Sequence, residues 1–135
     1  MISIFLIDDD PVYLTLARKI ISSADVRYQI TEFMMADEAI DFLADNLRNA
    51  HLLPDIIFVD LSMPVMDGWS FLDQYEIIAD GMSKAVDLYI VTSSISMKDV
   101  DRSKDYDVVK DFFIKPIGLQ KMRELANAKS NPGDL

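Results

Sequence analysis

The chain has no cysteine, a single histidine and only four glycines in 135 residues. Without cysteine there are no disulfides and no thiolate metal sites, which fits a reducing compartment. Neither kind of glycine-rich phosphate loop is present, so a nucleotide-binding domain built on one is disfavoured. Positive charge is scarce as well: 13 Lys and Arg face 23 Asp and Glu, giving a formal net charge of -10 and a sequence pI near 4.3. That balance opposes nucleic acid, whose binding depends on basic side chains neutralising phosphates, and it opposes an anionic membrane surface. No apolar run approaches the roughly 18 residues of a bilayer span. The N-terminus shows neither the basic nor the long apolar region of a signal peptide. The expected location is the cytoplasm.

What the chain does have is apolar content, at 50% of its residues, enough to exclude disorder and to build one domain. Short runs rich in Ile, Val and Phe alternate with segments of helical period. The runs are Ile2–Ile7, Tyr28–Phe33, Asp55–Asp60, Leu88–Thr92 and Val109–Ile114. "IIFV" and "LYIV" are nearly continuous, as strands covered on both faces should be. Between the runs lie four helical stripes: Val12, Leu16, Ala17, Ile20 and Ile21; Ala36, Ala39, Ile40, Leu43 and Leu47; Phe71, Leu72, Tyr75 and Ile78; Leu119, Met122 and Leu125. A weaker helical segment, Met97–Asp105, follows Ser96, which with Asp99 reads as a helix start. Five βα units imply a parallel sheet with helices on both faces, in the flavodoxin-like order 2-1-3-4-5.

An open α/β sheet binds ligands beyond the carboxyl ends of its strands, at the switch point between the first and third. Here those ends carry Asp8-Asp9-Asp10, Asp60, "IVTSS" and "FFIKP". Asp10 precedes Pro11 and the first stripe, so it reads as a helix cap. Asp8 and Asp9 are left to face Asp60. Two carboxylates about 4 Å apart at an effective dielectric near 20 repel by roughly 4 kcal/mol, so the cluster calls for a counter-charge. Mg²⁺, a hard ion that takes carboxylate and water oxygens, suits it.

Together "LIDDDP", "DLSMPVMDG", "VTSS" and "IKP" resemble the receiver domain of two-component response regulators, over roughly residues 2–128. The resemblance implies that Asp60 accepts a phosphoryl group from a phosphohistidine of a sensor histidine kinase or histidine phosphotransfer protein. It implies direct Mg²⁺ ligation by Asp9 and Asp60, indirect ligation by Asp8, and a ligand from the backbone carbonyl of Ser62. Thr92 and Lys115 would contact phosphoryl oxygens, and a cis Lys115–Pro116 bond would aim the lysine. Thr92 and Phe112 would form the switch. Many family members carry Tyr at the Phe112 position, so a hydroxyl is missing here. Phe113 should point to the opposite face. The implied output face comprises the fourth helix, fifth strand and fifth helix, and its downstream protein partner is not specified by the sequence.

Residues 1–128 form the expected receiver, standing alone, with 129–135 as a short tail; the chain end "AKSNPGDL" reads as frayed. Pro64, Asp67 and Gly68 read as turn chemistry, with Asp67 able to cap the third helix. Trp69 reads as structural and His51 as polar surface. Ser62 and Ser93, small and polar, should admit water to the phosphoryl group and give it an ordinary lifetime. The competing enzymatic reading is a Mg²⁺-dependent phosphatase of haloacid-dehalogenase type. Those enzymes usually carry an Asp where this chain has Ser62. A receiver that never takes phosphate is opposed by the intact Asp9, Asp60, Thr92 and Lys115.

Overall fold

The strands of the computed structural model are β1 (Ile2–Ile7), β2 (Tyr28–Phe33), β3 (Ile56–Val59), β4 (Asp87–Thr92) and β5 (Val109–Ile114). The helices are α1 (Pro11–Ser22), α2 (Ala36–Asp45), α3 (Gly68–Ala79), α4 (Met97–Ser103) and α5 (Leu119–Ser130). Residues 1–22, 27–93, 96–117 and 119–130 are described. The five strands form one parallel sheet in the order β2-β1-β3-β4-β5, the flavodoxin-like arrangement expected. Among the described residues, no helix is long and apolar enough to cross a membrane.

Strand alternation divides the core into two layers. Phe5, Ile7, Ile57, Val59, Leu88 and Ile90 face α2 and α3. Ile4, Leu6, Ile56, Phe58, Tyr89 and Val91 face α1 and Met122 of α5. Phe112 packs on the first layer and Phe113 on the second, as alternation requires.

The first helical stripe is rotated from its expected face. Tyr13, Leu14, Ala17 and Ile21 are buried, whereas Val12 is 76% exposed and Leu16 44%. α1 carries apolar residues nearly all round, so periodicity alone admits either choice. In the other stripes Ala36, Ala39, Ile40, Leu43, Phe71, Leu72, Tyr75 and Met122 are buried as expected. Leu47 lies past the end of α2 and is only half-buried.

Helix α4 is shorter than its sequence segment. It closes at Ser103, after which the Lys104, Asp105 and Tyr106 amides donate to carbonyls three residues back. Such tight bonds are how a helix end satisfies its last carbonyls. Conversely, α5 runs through Ser130, past the expected domain end at residue 128. Lys129 on it reaches Asp87 (3.5 Å) and the carbonyl of Ala85 (3.0 Å). The remainder of the tail lies outside the described residues.

With few apolar side chains of its own, α4 is tied down by a polar and aromatic clamp. The Arg102 guanidinium lies 4.4 Å from the ring centroid of Trp69. Trp69 stacks on Tyr106, with centroids 5.8 Å apart, and the Tyr106 hydroxyl donates to Asp73 of α3 at 2.6 Å. A neutral donor bonding a carboxylate contributes about 1.5–3 kcal/mol net. Tyr106→Phe should therefore lower stability by about 1–2 kcal/mol. It should also speed amide exchange in α4 more than in β1, measured by mass spectrometry. Equal acceleration in both elements would show that the clamp does not hold α4.

Candidate functional site

Sheet register builds the site. Ile7 of β1 lies opposite Val59 of β3, so the next residue on each strand, Asp8 and Asp60, emerge side by side. The Asp60 amide donates to the carbonyl of Ile7 (3.0 Å), and the Asp8 amide to that of Phe33 (3.0 Å). On the other side, Thr92 ends β4 and its carbonyl accepts from the Lys115 amide at 2.9 Å. Four strand ends thus fix these residues before any side chain interacts. The Lys115–Pro116 bond is cis, as the resemblance implies.

Carboxylate oxygens of Asp8, Asp9 and Asp60 all lie within 4.8 Å of one another. Asp8 is 3% exposed and Asp60 6%, whereas Asp9 is half-buried. Both oxygens of Asp8 are engaged: one accepts from the Asp10 amide (2.9 Å), the other from the Lys115 ammonium (2.5 Å). Asp60 meets Lys115 at 3.2 Å with one oxygen, and the other accepts from the Ser62 amide at 3.3 Å. Asp10 stands apart. It is exposed, and its carboxylate accepts from the Val12 amide at 3.0 Å, which caps α1 as expected. A cavity of about 450 Å³ opens over the acids, lined among others by Asp9, Tyr13, Asp60, Ser62, Ser93 and Lys115.

Lys115 is the counter-charge the acids require. Burial alone would lower its pKa, but the hydrogen bond and charge of Asp8, joined by Asp60, raise it. It stays protonated throughout the neutral range. Asp8 also moves upward, because lost hydration outweighs the help from Lys115 and from the Asp10 amide. An ion pair by itself would raise the lysine and lower the carboxylate; burial of Asp8 reverses the second effect, so both rise.

Thr92 is 2% exposed at the end of β4, and Phe112, opposite Ile90, is half-buried beside Trp69's layer. Ser62 and Ser93 both line the cavity. His51 is exposed in a short 3-10 turn (Ala50–Leu52). Asp67 caps α3, accepting from the Ser70 amide at 2.8 Å.

The loop after Asp60 holds more than turn chemistry. A Cβ on Gly68 would fall 2.5 Å from the Asp60 carbonyl oxygen and 2.7 Å from the Leu61 Cα, both backbone. Glycine is required there by closeness to the acid's own backbone, not by its dihedral angles. Val65 has φ of 68°, between a Met66 amide and Pro64 carbonyl bonded at 2.8 Å. A β-branched residue in that region is strained, typically by about 1–3 kcal/mol. Neither feature has a sequence signal beyond the Pro and Gly themselves. Tyr13, whose ring faces Lys115, was also not distinguished by the sequence; its spacing one turn into α1 after the acids is the clue that was available.

This α/β domain gathers three acids and one lysine at the carboxyl end of its sheet, a cluster that could bind a metal ion. The comparisons make the class definite. The family model of the response regulator receiver domain matches residues 4–127, and the chain belongs to that family. It is a receiver domain of two-component signalling. A crystal structure of a two-component response regulator from Cytophaga hutchinsonii is 28% identical, with a TM-score of 0.83 and 96% of each chain covered. A protein-glutamate methylesterase/protein-glutamine glutaminase from Methanospirillum hungatei is 31% identical over 93% of this chain and 34% of its own length. The two-component response regulator ORR26 of Oryza sativa subsp. japonica is 25% identical over 90% of this chain. The chain spans 19% of the length of that rice protein.

Gly68→Ala should lower the unfolding midpoint, at a cost of about 1–3 kcal/mol for forcing backbone apart; urea unfolding at pH 7 measures it, and an unchanged midpoint would contradict the close approach. Asp8 gives a pH signature. Its folded pKa is raised above the ordinary 3.8, so the folded form holds the extra proton above that pH. Wild type must therefore lose stability on this group as pH rises through the raised value. In metal-free melts the midpoint of Asp8→Asn, relative to wild type, should increase from about pH 4 to pH 7. A decrease would reverse the assigned direction.

Proposed function

We propose that this domain accepts a phosphoryl group on Asp60 from a phosphohistidine of a sensor kinase or phosphotransfer protein, and that phosphorylation of Asp60 switches a protein-binding face. The observation that carries this reading is the convergence of Asp8, Asp9 and Asp60 within 4.8 Å beneath an open cavity, with Lys115 among them. The donor set is all oxygen, which fits Mg²⁺. Asp9 and Asp60 would hold it directly with the Ser62 carbonyl, and Asp8 through water. The ion supplies charge neutralisation when bound.

Asp60 would attack the phosphorus, forming an O–P bond as the P–N bond to the donor imidazole breaks; the departing nitrogen then takes up a proton. Phosphoryl transfer depends chiefly on positioning and on neutralising oxygens. Lys115 and the Thr92 hydroxyl would meet two of them. Val12 and Leu16 are exposed at the cavity's edge and give a protein donor an apolar surface. The added phosphate brings about -2 of charge. Thr92 and Phe112 would respond to it, and the surface of α4, β5 and α5 would present the change to a partner. Met97, 75% exposed, and Ile114, 53%, lie on that surface.

Incubation with acetyl phosphate and Mg²⁺ should add one phosphoryl group to wild type and none to Asp60→Asn, read by intact mass. Chelation of Mg²⁺ should abolish the adduct. With Ser62 and Ser93 leaving water access, the adduct should decay well within a day. An adduct retained on Asp60→Asn, or none on wild type, would refute the acceptor role. Multiple turnover of a small phosphate ester would mark a phosphatase instead.

A further inference from the structure

Lys115 has a third partner besides its two carboxylates. Its ammonium nitrogen lies 4.2 Å from the centroid of the Tyr13 ring. Tyr13 is itself 8% exposed and lines the same cavity as Asp9, Asp60 and Lys115. An ammonium has three N–H donors. Asp8 and Asp60 take two, at 2.5 and 3.2 Å, which leaves one for the ring.

The three partners differ in what happens to them when the site works. Asp60 would hold a divalent cation directly and Asp8 through water, and Asp60 is the group that would be phosphorylated. Each change withdraws negative charge from Lys115. The ring has no formal charge, does not compete for a hard cation, and attracts the ammonium through its quadrupole without neutralising it. Of the three partners, only Tyr13 is unchanged by metal and phosphate. It sits in the first turn of α1, which the Asp10 side chain caps.

The hydroxyl contributes nothing visible to this. It is buried without a hydrogen-bond partner among the described residues, and burial with the nearby charges of Asp8 and Asp60 pushes its pKa upward. A buried hydroxyl left unsatisfied is destabilising. The ring is therefore the useful part of the side chain, and Phe should replace it.

We infer that Tyr13 is a positioning residue for Lys115, its ring keeping the ammonium over the cavity while Asp8 and Asp60 change partners. The inference rests on the phosphoryl-acceptor reading. Its test has two readouts, made on wild type, Tyr13→Phe and Tyr13→Leu. The first is the chemical shift of the Lys115 ε-protons in metal-free protein. A ring this close shifts them upfield in wild type and Tyr13→Phe, and the shift disappears in Tyr13→Leu. The second is the rate of phosphorylation by acetyl phosphate at saturating Mg²⁺. Tyr13→Leu should be slower by about five- to thirty-fold, the range a cation–π contact supports, with Tyr13→Phe within about two-fold of wild type.

A Tyr13→Leu protein phosphorylated at the wild-type rate would overturn the inference, and so would Tyr13→Phe slowed as much as Tyr13→Leu. Tyr13→Met replaces the Leu variant should that one fail to fold. If wild type takes no phosphoryl group, the acceptor reading is what fails. The ε-proton shift separately decides whether Tyr13 holds Lys115, and its absence in wild type would overturn the contact itself.

Discussion

A single ammonium among buried acids is the constraint on which the site depends. Asp8 and Asp60 are placed by register, not by mutual attraction: the pairing of Ile7 with Val59 forces their successors together. Buried like charges would oppose that pairing if nothing stood between them. Lys115, delivered by β5 from the far side of Thr92, removes the conflict. Sheet order and site chemistry are thus one problem. In this sheet order the end of β5, with only β4 between it and β3, comes close enough for its lysine to reach both acids.

The opposite end of the sheet shows the same economy with less at stake. Asp55 accepts from the Ser3 amide at 2.8 Å and pairs with Lys84 at 3.0 Å, while Asp87 meets Lys110 and Lys129. These pairs are partly exposed and each contributes little. They hold strand starts in register. At the carboxyl end Asp8 and Asp60 are instead buried and crowded around one lysine.

Periodicity was a dependable guide wherever burial is one-sided or complete. The runs of β3 and β4 are continuous and buried, and their strands sit where the pattern placed them, trimmed by Asp55 and Asp60 at the ends of β3. Motif order located Asp8, Asp9, Asp60, Thr92 and Lys115 at one edge, because strand ends in a parallel sheet share that edge. It failed where the pattern is degenerate. In α1, Val12-Leu16 and Tyr13-Ala17 are both helically spaced, and only packing against the sheet chooses between them. That choice matters, since it sends Tyr13 to Lys115 and leaves Val12 outside. Gly68 and Val65 escaped for another reason. A close backbone approach and a positive φ depend on where the Asp60 strand end meets the start of α3, and no local pattern encodes that meeting.

Phe112 brings these strands of argument together. Lacking a hydroxyl, it can respond to a change at Thr92 only through packing, and its layer is shared with Trp69 and Tyr106. Trp69 begins α3 directly after Gly68, whose backbone touches that of Asp60. Tyr106 and Arg102 bind the same tryptophan from the α4 side. The acid's own loop and the least anchored helix therefore meet at one aromatic pair. A hydroxyl does survive on this face, but it belongs to Tyr106 and is committed to Asp73. Trp69 thus joins the start of α3 to the α4 side through ring contacts, with no side-chain hydrogen bond from position 112.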